Sequence, residues 1–324
     1  MTTNQDAFQT LRGGLRVPVI AAPMFLVSGP DLVIAAARAG VVGAFPTANC
    51  RTPDQLDDWL GQIARRMRDH EEDNGRRAAP YCPNLIVHKS NTRLAEDLAV
   101  LVKHRPALVI TSVGPPTPVL GPLHDTGTLV FADVASIKHA QKAVAAGADG
   151  LILLTAGAGG QTGWLNPFAF VRAVRAFYQG PLVMAGGISD GYALAAAETL
   201  GCDLAYMGTP FIATHESMAS DAYKTLLVES SADDVMLTRA FTSLQSNMLR
   251  PSIVRAGLDP DDLAAKSGLD VARDISIEGR AQRPARWRDI WSAGHSVSGI
   301  REVLSVEQLV ARTASEYQAA KHRA

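Results

Sequence analysis

AAGADGLILLTAGAGGQTGWLNPFAFVRAV, residues 145–174, holds one complete structural period. An alanine-rich helical end closes on Gly147, and glycine is the usual left-handed terminator of a helix. Gly150–Leu154 then gives a short apolar run, the pattern of a strand buried on both faces. A loop with four glycines between positions 157 and 163 follows. Asn166 and Pro167, a capping residue and a proline, open the next helical pattern. Helix, glycine, buried strand, loop and helix form the grammar of a parallel α/β fold.

The same grammar recurs on both sides. ARAGVVGAF (37–45) and TLGCDLAYMG (199–208) repeat the helix end, glycine and strand. VPVIAA (17–22), NLIV (84–87), ALVITS (107–112), TLVFAD (128–133) and PLVMAG (181–186) add further strand runs. Strands therefore begin near 17, 41, 83, 107, 128, 150, 181 and 203. Helical patterns at 30–40, 52–70, 91–104, 136–147, 166–178 and 189–201 lie between them. Eight units over about 210 residues predict a closed (β/α)8 TIM barrel more than an open doubly wound sheet.

After Phe211 the alternation stops. Residues 212–290 read as a smaller, mainly helical insertion or cap, which leaves 1–211 plus 291–324 to the barrel. Ser305 and Gln308 have the spacing of a capping box. Val306, Leu309, Val310 and Tyr317 give the following helix one apolar face.

The 324 residues, 47% hydrophobic and 19% charged with a formal net charge of −1, carry no basic footprint for nucleic acid and no polybasic membrane patch. No apolar run approaches a membrane span. The polar start MTTNQDAFQTLRGG lacks a signal-peptide core. Cys50, Cys82 and Cys202 are scattered, without metal-ligand spacing, which predicts reduced thiols and a cytoplasmic protein acting on a small molecule, alone or as an oligomer.

In a barrel, chemistry belongs at the C-terminal strand ends. Those ends are APM (22–24), the Asn84 region, TSVG (111–114), Ala132-Asp133, the glycine loop, AGGISDG (185–191) and MGTPF (207–211). The AGGI and MGT segments, each leading into a helix after strands 7 and 8, match a barrel phosphate cradle: Gly186, Gly187, Gly208 and Thr209 can offer unhindered N–H groups to an anion. The glycine loop is not GxGxxG and follows the sixth strand, so a dinucleotide fingerprint is a poor reading. Its glycines would let a flat ring lie against the backbone.

APMFLVSGPDLVIAAARAGVVGAF, Asn84, the AGAGG loop, MAGGISDG and YMGTPFIAT together resemble the nitronate monooxygenase family, also known as the 2-nitropropane dioxygenases, which includes flavin-dependent enoyl-acyl carrier protein reductases and NADH:quinone reductases. The resemblance covers about residues 17–216, and WSAGHSVSGI (291–300) is similar to the family's returning segment. It implies one non-covalent FMN and a helical substrate domain, residues 212–290, inserted after strand 8. Ala22, Pro23 and Met24 would lie against the ring, Asn84 would bond its polar edge, and Gly160 would adjoin it. Gly186, Gly187, Gly208 and Thr209 would hold the phosphate, with Met207 and Asp133 also at the cofactor. Nitronate-oxidising members usually carry histidine in a GGHxG loop; here the position is Gln161, which cannot take a proton at neutral pH. His88 and His295 are the substitute bases to consider, and Trp164 and His295 the substrate contacts.

The implied activity is oxidation of alkyl nitronates with O2. The alternatives are reduction or dehydrogenation of a conjugated carbonyl or CoA thioester, with NAD(P)H as candidate electron donor, and a catalytically silent flavin-binding protein.

Overall fold

The computed structural model describes residues 2–75, 77–242, 244–265 and 288–323. Eleven strands are found among them: β1 (Val19–Ala21), β2 (Val42–Pro46), β3 (Tyr81–Ile86), β4 (Leu108–Ser112), β5 (Leu129–Val134), β6 (Gly150–Leu154), β7 (Gly160–Gln161), β8 (Leu182–Ala185), β9 (Leu204–Met207), β10 (Val235–Thr238) and β11 (Ser246–Leu249). Eight of them close into a parallel barrel in the order β1-β2-β3-β4-β5-β6-β8-β9. Closure is made where Val19, Ile20 and Ala21 pair with Ala205, Tyr206 and Met207. The expected TIM barrel is the architecture observed.

Local sequence fixes the helix ends. The α-helices among the described residues are α1 (Thr2–Gly13), α2 (Pro30–Ala39), α3 (Pro53–Asn74), α4 (Leu94–His104), α5 (Thr117–His124), α6 (Ile137–Ala146), α7 (Pro167–Arg175), α8 (Gly191–Leu200), α9 (Thr209–Ile212), α10 (Asp221–Glu229), α11 (Arg250–Arg255) and α12 (Val306–Lys321). Thr52, Ser136, Asn166 and Asp190 each accept a backbone N–H of the first turn through the side chain, the expected N-cap bond. Gly40, Gly147 and Gly201 end α2, α6 and α8 in the left-handed conformation. Ser305 and Gln308 form a reciprocal capping box at α12, which buries Val306, Leu309, Val310 and Tyr317.

Three elements depart from the sequence reading. The polar N-terminus forms α1, whose Phe8 is fully buried and packs on Phe131 inside the barrel at 5.8 Å. α5 forms despite Gly121 and Pro122. Segment 212–290, expected to be mainly helical, carries α10 and α11 among its described residues and also the antiparallel hairpin β10–β11. β11 pairs in turn with β7 of the glycine loop. The prediction for 266–287 lies outside the described residues.

The barrel interior changes character along its axis. Ile20, Leu108, Phe131, Ile152, Val183 and Leu204 fill the lower part. Asn84, Ser112, Asp133 and Tyr206 stand at the upper end and face a cavity.

Candidate active site

The cavity has a volume of about 900 Å3 and lies at the C-terminal mouth of the barrel. That is the upper range for a small-molecule pocket. Strand alternation supplies its floor, because residues two apart share a face. Phe131 and Asp133 on β5 both point inward, as do Leu204 and Tyr206 on β9. Met207, one residue on, therefore turns away into the sheet–helix core, and only its carbonyl serves the site by accepting the Ala22 N–H at 2.9 Å. Tyr206 occupies the cavity-facing position that the sequence reading gave to Met207.

The floor is polar and loosely paired. Asn84 is buried, but its side-chain bonds to the Ile110 carbonyl and the Ser112 hydroxyl are both long, at 3.4 Å. Asp133 Oδ1 and Tyr206 Oη are sealed from water and have no hydrogen-bond partner among the described residues. Burial pushes the Asp133 carboxyl up to about 8. The Tyr206 phenol and the Cys82 thiol are also pushed up, first by burial and then by the charge of Asp133.

One wall is the glycine loop, and it is tightly held. Thr155 donates to the Ala185 carbonyl through both its N–H (3.0 Å) and its hydroxyl (2.8 Å). β7 pairs with Ser246 and Asn247 of β11. The buried Asn247 amide donates to the carbonyls of Ala156 (2.8 Å) and Ala158 (2.7 Å), a clamp across 91 and 89 residues. The glycines are explained partly by another chain segment: a Cβ on Gly159 would lie 2.7 Å from the Gly294 nitrogen and 2.9 Å from the Ala293 carbonyl carbon. The returning segment at 293–294, not a flat ring alone, makes the close approach. Gln161 leaves this wall half-buried, lines the cavity, and makes no side-chain hydrogen bond among the described residues.

The phosphate-type loops form another wall. Gly186, Gly187, Gly208 and Thr209 all line the cavity. The two adjacent glycines differ. A Cβ on Gly186 would lie 2.5 Å from Thr155 Oγ1, so Gly186 packs against the glycine loop. At Gly187, with φ +76°, a Cβ would meet nothing within 4 Å. No loop or cap hydrogen bond among the described residues uses the amides of Gly187, Gly208 or Thr209. The Thr209 hydroxyl instead accepts the Gly294 N–H at 2.9 Å.

Ala22, Pro23, Met24, Asn84, Asp133, Gly160 and Gln161 join these residues around the cavity. His88 is not among its lining and is turned to Ser90, with Nδ1 2.8 Å from Oγ. Trp164 is 70% exposed and is not among the cavity lining. His295 is exposed; its backbone donates to the Gly157 carbonyl and its ring lies behind Gly157, outside the lining. The sequence reading missed Tyr206, Tyr223, Arg239, Gln245 and the α6 pair His139 and Lys142, all of which line the cavity. The spacing of His139 and Lys142 could have marked an α6 face turned to the barrel mouth; the others depend on long-range packing.

Comparison with known proteins agrees with this geometry. The profile of the nitronate monooxygenase family matches residues 11–316. The chain is 27% identical over 288 residues to a nitronate monooxygenase of Paraburkholderia phytofirmans, covering 76% of this chain and 77% of that protein. It is 26% identical over 244 residues to the (3aS,4S,5R,7aS)-5-hydroxy-7a-methyl-1-oxo-octahydro-1H-indene-4-carboxyl-CoA dehydrogenase of Mycobacterium tuberculosis, covering 74% and 65%. Among solved structures, nitroalkane oxidase from Streptomyces ansochromogenes superposes with a TM-score of 0.79 at 25% identity over 98% of this chain and 99% of that one. FabK from Thermotoga maritima gives 0.79 at 24% identity over 97% and 96%, a likeness of fold. With a family match across almost its whole length, a closed barrel and a cavity at the expected mouth, the chain belongs to the nitronate monooxygenase family.

Proposed function

We propose that this protein is an FMN-dependent oxidoreductase whose substrates are alkyl nitronates, with O2 as the final oxidant. The observation that carries the reading is one cavity joining three features: the open, amide-lined space at Gly187, the polar barrel floor, and the unpaired Gln161 amide. The amides of Gly187, Gly208 and Thr209 fit a phosphate, and two orphaned floor atoms fit the heteroatom edge of a ring. Bound there, FMN would take electrons from the substrate and deliver them to oxygen.

The protein's own part is placement. Asn84 holds a polar ring edge, Met24 and Pro23 cover ring surface, and the clamped loop sets Gln161 toward the substrate. A nitronate is already an anion, so no strong base is required. The Gln161 amide can donate to its nitro oxygens and fix its orientation. On this reading the reaction needs no histidine at that position.

A second reading, reduction or dehydrogenation of a conjugated carbonyl or CoA thioester, is favoured by one observation: His139, Lys142 and Arg239 line the outer cavity, where phosphates of CoA or a nicotinamide dinucleotide could be met. One experiment separates the readings. Purified protein loaded with FMN is mixed without oxygen with propyl nitronate or with NADH, and the flavin absorbance is followed. Bleaching by nitronate is expected. Bleaching by NADH alone would transfer the assignment to the second reading, and a protein that takes up no FMN would reject both.

A further inference from the structure

The barrel leaves two polar atoms of its own floor unanswered. Asp133 on β5 and Tyr206 on β9 both line the cavity, Asp133 half-buried, while Asp133 Oδ1 and Tyr206 Oη are covered by neighbouring atoms and lack partners among the described residues. Buried polar atoms are nearly always paired, so two orphans on side chains that line one cavity point to a ligand there as the missing partner once the side chains turn to it.

The surroundings decide in which state Asp133 waits. The titratable groups that feel its charge are Cys82 of β3 and Tyr206 of β9, two acids of the barrel interior that burial holds protonated. No ion pair reaches its carboxyl among the described residues; the cationic side chains of the cavity, Lys142 and Arg239, and the His139 ring line the wall formed by α6 and the hairpin. Desolvation is thus uncompensated, and the carboxyl is held well above the usual carboxylate range. A carboxylate at this place would only accept hydrogen bonds, whereas the neutral acid donates one.

We propose that Asp133 stands protonated at neutral pH and, with Tyr206 of β9, presents hydroxyl donors to an acceptor edge of the ring bound in the cavity, so that this ligand binds together with one proton. The ligand identity rests on the FMN reading given above. Below the break the donor is present. As pH rises through it, the donor is replaced by a negative charge facing an acceptor, and affinity falls.

Two measurements test the proposal. The first is the infrared carbonyl band of a neutral carboxylic acid in the FMN-free protein at pH 7, expected in the wild type and absent from Asp133→Asn. The second is FMN affinity from fluorescence quenching between pH 6.5 and 9.5. The wild-type Kd is expected to be flat at low pH and then to rise toward tenfold per pH unit, the dependence of a one-proton requirement. Asp133→Asn, which keeps an N–H donor, is expected to bind with a flat profile, and Asp133→Ala more weakly but also flat. Tyr206→Phe is expected to weaken binding while keeping the break. Absence of the acid band, or a wild-type profile as flat as that of Asp133→Asn, would overturn the proposal. The acid band in a protein that takes up no FMN at any pH would support the proton site and overturn the flavin reading instead.

Discussion

Gln161 and Gly187 carry the two most separable jobs in the cavity. The Gln161 amide has no partner among the described residues and is proposed to meet the substrate, and its backbone is fixed by β7 whatever side chain it bears. Gln161→Ala is therefore expected to leave FMN content unchanged. It should lower kcat/KM on nitronates by about 10- to 100-fold, the worth of one hydrogen bond to a charged group. Unchanged steady-state kinetics would remove Gln161 from the substrate site. At Gly187 a methyl group would enter open space that no described residue fills, in a left-handed conformation that costs a side chain roughly 1–2 kcal/mol. Gly187→Ala is expected to fold with a modest loss of melting temperature yet lose FMN affinity by at least about tenfold, because the methyl displaces the phosphate. Full flavin content after dialysis would show that the phosphate lies elsewhere.

Among the elements, the glycine loop depends most on partners distant in sequence. Asn247 is buried and gives both amide hydrogens to loop carbonyls, at Ala156 and Ala158. Asn247→Ala leaves both carbonyls without their donor, at about 1–3 kcal/mol each, so a loss on the order of 2–6 kcal/mol in urea unfolding is expected. Asn247→Asp should fare no better, since a carboxylate would face two carbonyl oxygens. A loss below about 0.5 kcal/mol would mean that the loop stands without the clamp. This bond also shows where sequence reading stops. Barrel strands announce themselves locally, through a capping glycine and an apolar run, and β6 begins at Gly150 as the sequence reading placed it. VMLT and SNML announce nothing, because their partners are each other and the glycine loop. Strand phase is hidden for a related reason. Tyr206 and Met207 are both apolar enough for a core, and only barrel closure decides which faces the cavity. α5 is concealed by its own Gly121 and Pro122.

For the whole molecule, the polar floor is a stability cost borne in return for a binding surface. Asp133 titrates near 4 in an unfolded chain and is pushed up to about 8 by burial in the folded barrel. Between those values the folded protein holds a proton that the unfolded chain has released, so raising the pH favours unfolding. The contribution of Asp133 is therefore absent below about pH 4, grows more unfavourable as pH rises toward about 8, and is constant above that. Asp133→Asn removes this titration while keeping size and a hydrogen-bond donor. Urea unfolding of the two FMN-free proteins across this range isolates the effect, because all other titrating groups are shared. The variant is expected to gain on the wild type with each pH unit between about 4 and 8, and the gap should close in acid. A gap independent of pH would mean that Asp133 ionises alike in both states. Added FMN, which binds the folded state alone, should stabilise both proteins. Above about pH 8 it should stabilise the wild type less than Asp133→Asn, because there the wild type has lost the proton that the ligand requires.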